Sequence, residues 1–161
     1  FPYTTLFRST KDCVCAPGVV QKYLNKISGP LLDRIDIHLE VVPVPFKKLA
    51  EMDASENSGT VRERVLKARK IQEERFEKHK GIYANAQMNS KLIRKYVQLD
   101  EAGNELIKNA MDKLGLSARA YDRILKVART IADLESEEKV LAHHLSEAIH
   151  YRSLDRDNWG G

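Results

Sequence analysis

The sequence contains few cysteines, few aromatic residues and no long apolar run. Its two cysteines, Cys13 and Cys15, lie too close together to crosslink a fold. No apolar stretch is long enough to cross a bilayer, and no secretory signal pattern is present. The 27 basic and 23 acidic residues are interleaved, so the net charge of +4 permits an anionic partner without indicating one. We therefore expect a cytoplasmic protein with no membrane partner.

The sequence is rich in charge and in helical periodicity. Charged residues make up 31% of the chain and hydrophobic residues 42%, a mixture typical of a helix-rich protein with a packed core. Residues 36–44 alternate between apolar and polar, which predicts a half-buried strand that Pro43 and Pro45 bring to an end. Beyond residue 60 the apolar residues recur at helical spacing. The pattern thus predicts a strand-containing segment followed by a helical bundle.

Changes in composition divide the chain into five segments. The opening letters FPYTTLFRS resemble a translated sequencing adapter or a cloning scar, and the letters DASENSG are typical of a linker. The predicted segments are 1–10 of adapter or vector origin, 11–52 with the strand, 53–59 as linker, 60–154 as helical domain and 155–161 as tail.

Helix ends can be predicted from capping residues in the helical domain. Side chains that accept a hydrogen bond favour the start of a helix, and glycine favours its end. In the first long helix the apolar spacing predicts an inner face of Val61, Val65, Ala68, Gln72 and Phe76. The predicted caps are Thr60 (with Glu63 completing a capping box), Asn89 or Ser90, Asp100 and Ser117, and the predicted terminators are Gly81 and Gly115.

Three motifs together resemble the magnesium-chelatase-like AAA+ ATPases of the ComM/YifB family. They are SGPLLDRIDIH at 28–38, GLSARAYDR at 115–123 and HLSEAIHYR at 144–152. The resemblance implies a mainly α fold: a short α/β remnant of an AAA+ core, with one or two strands, followed by an all-helical lid bundle. It implies that residues 11–52 are the end of that core and 60–154 the lid.

The same resemblance implies the partners and cofactors of a longer parent protein. That parent would bind ATP and Mg²⁺, assemble with other subunits into a homo-oligomeric ring, expected as a hexamer, and act on DNA as a branch-migration helicase during natural transformation. The phosphate-binding pattern G-x-x-x-x-G-K-[ST] does not occur in this sequence. We therefore expect the parent to be an ATPase, and this chain by itself neither to bind ATP and Mg²⁺ tightly nor to hydrolyse ATP.

Arg34 is the residue that the resemblance identifies as the arginine finger. A guanidinium is always charged and donates parallel hydrogen bonds, which suits the charge that develops on γ-phosphate oxygens. Supplied to the nucleotide of a neighbouring subunit, it would make hydrolysis depend on ring assembly. The alternative is a surface arginine paired with Asp33 or Asp36.

Arg119 resembles the sensor-2 arginine of the lid, which would contact the γ-phosphate of nucleotide bound to its own subunit. It lies in the first turn of the helix that Ser117 opens, where backbone amides also favour an anion. Arg123, one turn further on, is the weaker candidate for this role. The alternative for Arg119 is an exposed ion pair with Asp122 or with acids near Asp133.

The remaining candidates are weaker in chemistry. Cys13 and Cys15 would supply at most two ligands of a zinc site. Upstream residues, or histidines such as His143, His144 and His150, would have to complete that site. The alternative is that both cysteines are free thiols. The basic residues of the first long helix leave open a stand-alone helical module that binds nucleic acid or another protein, although interleaved glutamates favour a solvated face.

Overall fold

The computed structural model describes residues 16–39, 41 and 56–152. The predicted adapter-derived segment, both cysteines, residues 53–55 of the predicted linker and the predicted tail lie outside these residues. The first described elements are two short helices, α1 at Pro17–Leu24 and α2 at Gly29–Leu32. After α2 the chain turns once more, because Arg34 N donates to Leu31 O at 2.9 Å and Ile35 N to Leu32 O at 3.0 Å.

The strand prediction is wrong for residues 36–39 and 41, which form no strand, and the rest of 36–44 lies outside the described residues. A strand requires a neighbouring strand to satisfy its backbone groups. Here His38 N donates instead to the carbonyl of Tyr151, at the end of the last helix, at 2.8 Å. The apolar side chains of Ile37, Leu39 and Val41 are exposed. The alternating pattern therefore does not mark a strand in these residues, and the backbone of His38 attaches the segment to the helical domain instead.

Five further helices and one 3₁₀ turn build the helical domain, so the mainly α prediction is confirmed. They are α3 at Ser58–Phe76, the 3₁₀ turn at Asn85–Gln87, α4 at Ser90–Tyr96, α5 at Glu101–Leu114, α6 at Ala118–Glu135 and α7 at Ala142–His150. None of the described helices is both long enough and apolar enough for a membrane span.

Local hydrogen bonds define most of the helix ends as predicted. Asn89, Asp100 and Ser117 each accept a bond from the backbone N–H three residues later. Gly115 ends α5 in the left-handed conformation, with φ of 60°, which glycine adopts without strain. The predicted Thr60 cap is wrong. The side chain of Asn57 accepts from Thr60 N at 3.0 Å, so α3 begins at Ser58.

Among the residues that the structure describes, only the second half of α3 packs against other helices. Ala68, Gln72 and Phe76 are buried as predicted, whereas Val61 and Val65 are exposed. Every residue from 56 to 67 is exposed. The helical spacing thus identified the correct face of α3 but not the length over which a partner covers it.

Helix α6 is the centre of the domain and packs against α3, α4, α7 and the 3₁₀ turn. Ala120, Ile124, Ala128 and Ala132 are completely buried along one of its faces. Three of these four are alanines, whose small side chains allow the neighbouring helices to approach closely. The first turn of α6, which carries Arg119, therefore belongs to the central helix of the domain.

Candidate functional site

Arg34 lies on the exposed turn that follows α2. Its Nη1 donates to the carbonyl oxygen of Pro30 at 2.6 Å, and its side chain is otherwise open to solvent. None of the described carboxylates lies within ion-pair distance of this guanidinium. The alternative pairing with Asp33 or Asp36 is thus not found in the described part of the chain. Most of the hydrogen-bonding capacity of Arg34 faces outward.

Arg119 is the second residue of α6, in the turn that Ser117 caps. Ala120 N donates to Ser117 Oγ at 3.2 Å, and this bond holds the start of the helix. The side chain of Arg119 is exposed, and no described carboxylate pairs with it. Asp122, its expected alternative partner, accepts a hydrogen bond from Ser90 Oγ at 2.9 Å instead.

Arg123 forms an ion pair with Asp36. The two residues are 87 positions apart in the sequence, so the pair joins the segment after Arg34 to α6. Arg119 lies one helical turn before Arg123 on the same face of α6. The structure therefore joins the weaker candidate, Arg123, to Asp36 and leaves the side chains of Arg34 and Arg119 exposed.

Arg152 attaches the end of the helical domain to the same segment. Its guanidinium is completely buried, donates to the carbonyl of Ile35 and lies 3.5 Å from the carbonyl of Leu32. Sequence reasoning did not single out Arg152, although it is the last residue of the third motif quoted above. The sequence feature that could have identified Arg152 is a charged residue at the end of an otherwise amphipathic motif.

A buried ionic network, also missed from the sequence, holds α3, α6 and the 3₁₀ turn together. Asp133 is fully buried and accepts two bonds from Arg75, at 2.5 and 2.7 Å, one from Arg129 at 3.1 Å and one from Asn85 at 2.7 Å. Arg129 also donates to the carbonyls of Glu137 and Glu138, at 2.5 and 2.7 Å. Burial lowers the pKa of Arg129, and the charge of Asp133 opposes that shift.

Glu135, His143 and His144 are a cluster whose atoms are close enough to hold a metal ion. The geometry of His144 opposes that role. Its Nδ1 accepts the N–H of Leu141 at 3.0 Å, so the proton of the neutral ring is on Nε2, which lies 3.0 Å from Glu135. A protonated Nε2 donates to the carboxylate and cannot bind a cation. The cluster therefore acts as a hydrogen-bonded link between the end of α6 and the start of α7. The predicted zinc ligands Cys13 and Cys15 lie outside the described residues.

Glu135 provides a prediction about acid stability. Hydrogen bonds from His143 and His144 lower the pKa of Glu135 in the folded chain. Because a lowered carboxyl pKa favours the folded state above the unfolded pKa, the contribution is present near neutral pH and is lost as the pH falls through the folded pKa. We expect the difference in melting temperature between the wild type and Glu135→Gln to be largest above about pH 4.5, the ordinary value, and to narrow below it.

Thermal melts between pH 3 and 7 measure this difference. Glu137→Gln is the matched control, since Glu137 is exposed in the loop that follows α6 and contacts Arg129 only through its backbone carbonyl. A gap between wild type and Glu135→Gln that stays constant across this range would contradict the prediction.

An open cleft of about 540 Å³ lies between α3, α4 and the loop after α6. Its polar lining includes Arg75, Lys95, Arg129, Glu138 and Lys139. None of the three candidate arginines lines it. The cleft is thus separate from Arg34 and Arg119, and its two arginines already hold Asp133.

Comparison with known families matches nearly the whole chain in two parts. The family described as magnesium chelatase, subunit ChlI C-terminal, matches residues 55–152, and the family described as magnesium chelatase, subunit ChlI, matches residues 2–49. The second match includes most of the residues interpreted above as adapter-derived, whose origin stays a prediction. The boundary between the matches falls close to the predicted linker.

Several curated relatives are similar to the chain over 88% of its length. Competence protein ComM of Haemophilus influenzae is 46% identical over 142 residues, YifB of Salmonella typhimurium 41% over 144 and YifB of Escherichia coli 40% over 143. The chain spans about 27% of the length of each of these relatives.

Proposed function

Because the chain belongs to the family described as magnesium chelatase, subunit ChlI C-terminal, we propose that it is the C-terminal part of a ring-forming AAA+ ATPase. In this proposal it supplies Arg34 as an arginine finger to a neighbouring subunit and Arg119 as a sensor of nucleotide in the lid. The parent would be the ATPase, and this chain would complete the site without binding nucleotide tightly by itself.

The observation that carries the proposal is the state of the Arg34 guanidinium. It is exposed on a turn that is held by other groups, it donates to a single carbonyl, and no described acid neutralises it. A finger needs this combination, because the charge has to remain available for an anion that arrives from another subunit. A buried Arg34 locked to its own carboxylates would not permit it.

Arg119 fits the proposal because its guanidinium is as available to an anion as that of Arg34, and because of where it lies in α6. It is exposed at the start of α6, near the N-terminal amides, and lies one turn from the residue that pairs with Asp36. The expectation is that Arg119 contacts nucleotide bound to its own subunit, and the alternative is contact with the nucleotide of a neighbour. Subunit mixing distinguishes the two.

The candidate residues that the structure describes are suited to bind the phosphates of ATP rather than the Mg²⁺ ion. Arg34 and Arg119 are two guanidiniums of the kind that bind phosphate oxygens. No residue of this chain is proposed as a ligand of Mg²⁺, which would lie with the phosphate-binding loop of the parent. Bound ATP·Mg²⁺ would supply the transferable phosphoryl group, while this chain's residues orient and neutralise it.

Arg119→Ala tests the lid part of the proposal. In the full-length protein we expect ATP affinity to fall by roughly 10-fold to 100-fold, since one charge-assisted hydrogen bond contributes about 1.5–3 kcal/mol. Titration with a fluorescent ATP analogue measures it. Arg94→Ala, an exposed arginine on α4, is the control and should bind normally. Unchanged affinity together with an unchanged hydrolysis rate would count against the assignment.

Mixing Arg119→Ala subunits with subunits inactivated in the phosphate-binding loop shows which nucleotide Arg119 contacts. Restored hydrolysis means that Arg119 acts on the nucleotide of its neighbour, because the inactivated subunit then supplies an intact Arg119. Continued loss means that it acts on its own.

The narrower proposal is that the ring acts on DNA as a branch-migration helicase. It is supported by similarity to a protein named competence protein ComM and by the motifs quoted above. No observation in the described residues supports the alternative of a stand-alone nucleic-acid-binding module. The exposed face of α3 interleaves arginines and lysines with Glu63, Glu73 and Glu74.

A further inference from the structure

The turn that carries Arg34 is held from the far end of the chain. Leu32 and Ile35, on either side of the Asp33–Arg34 turn, both direct their carbonyl oxygens toward the guanidinium of Arg152. The carbonyl of Leu32 is the last of α2 and also accepts the N–H of Ile35 at 3.0 Å, so the guanidinium adds to a bond that closes the turn. A cation at such a helix end is favourable.

The burial of Arg152 favours this contact in the folded state. A completely buried guanidinium is stable only when polar partners satisfy it, and the carbonyls of Ile35 and Leu32 are among its partners. Nearby, His38 N donates to Tyr151 O at 2.8 Å and His38 Nε2 lies 3.3 Å from Leu32 O. The attachment therefore involves two adjacent residues at the end of the helical domain.

We propose that Arg152 is a positioning residue for Arg34, which holds the turn that presents the finger and joins it to the lid. This inference rests on the proposed function of Arg34, and it makes the finger move with the lid rather than with the nucleotide pocket of its own subunit. A nucleotide-dependent change in the position of the lid would then move the finger relative to the neighbouring active site.

Arg152→Ala and Arg152→Lys in the full-length protein test the proposal through two readouts. We expect Arg152→Ala to lower kcat for ATP hydrolysis by about tenfold or more, with KM for ATP unchanged within about twofold, since displacement of a finger harms the transition state rather than ground-state binding. Arg152→Lys, which keeps the charge but has fewer donors, should retain more activity than Arg152→Ala.

The second readout is independent of hydrolysis. Arg34 is exposed, so trypsin can cut the Arg34–Ile35 bond once the turn loosens. We expect Arg152→Ala to accelerate this cut at least tenfold, measured by mass spectrometry, while cuts within α3 keep their wild-type rate. Lys126→Ala is the matched control, because Lys126 is also a cation that donates to a backbone carbonyl, that of Ala86 at 2.9 Å, away from the turn.

The outcomes separate the two proposals. An unaltered cleavage rate after Arg34 in a folded Arg152→Ala protein would overturn the positioning role, whatever happens to hydrolysis. Accelerated cleavage, combined with normal hydrolysis by Arg34→Ala, would reject the finger and keep the attachment. Equal acceleration at all sites, with raised KM, would show that Arg152 only stabilises the lid and would also overturn the proposal.

Discussion

Replacing Arg34 by alanine in the full-length protein is expected to lower the rate of ATP hydrolysis by about 10³-fold to 10⁵-fold, the range over which arginine fingers act. The physical reason is that the guanidinium neutralises charge that appears on the γ-phosphate oxygens only in the transition state. Affinity for ATP should stay nearly unchanged. Steady-state turnover and nucleotide titration together measure this separation.

Two variants control the Arg34 experiment. Arg34→Lys keeps a positive charge but loses the planar pair of donors, so we expect an intermediate rate. Arg62→Ala removes an exposed arginine from the uncovered part of α3 and should hydrolyse ATP normally. Wild-type turnover by Arg34→Ala would reject the finger assignment, and with it the main chemical contribution proposed for this chain.

Replacing Asp133 by asparagine is expected to have the largest effect on stability. The substitution preserves size but leaves Arg75 and Arg129 near one another without the carboxylate that both contact. Loss of one partner from a buried ionic network costs about 3–5 kcal/mol. We therefore expect the free energy of unfolding of the chain, measured by urea denaturation, to fall by about that amount.

Asp122→Asn is the matched control for Asp133. It is on the same helix and carries the same substitution, but its side chain is partly exposed and accepts a bond from Ser90 at 2.9 Å. We expect it to cost less than about 1 kcal/mol. Equal destabilisation by the two variants would show that the buried network around Asp133 contributes no more than a surface hydrogen bond.

Short-range features of the helical domain were predictable from the sequence. The caps at Asp100 and Ser117 each bond a backbone group three residues away, so residue type and spacing suffice to identify them. The placement of Arg119 in the first turn of α6 followed from the Ser117 cap. The strand predicted at 36–44 does not form in the described residues 36–39 and 41, because an alternating pattern indicates an exposed and a buried face but does not supply a neighbouring strand.

The sequence by itself determined the helix positions, the mainly α class and the motifs that carry Arg34 and Arg119. Only the tertiary structure decided that Arg123 contacts Asp36, that Arg152 contacts Ile35 and that Arg75 contacts Asp133, pairs separated by 87, 117 and 58 positions. Such pairs depend on how helices cross and which faces they cover. Residue type cannot specify this, because every charged side chain on a helical surface has several acceptable partners until packing leaves one.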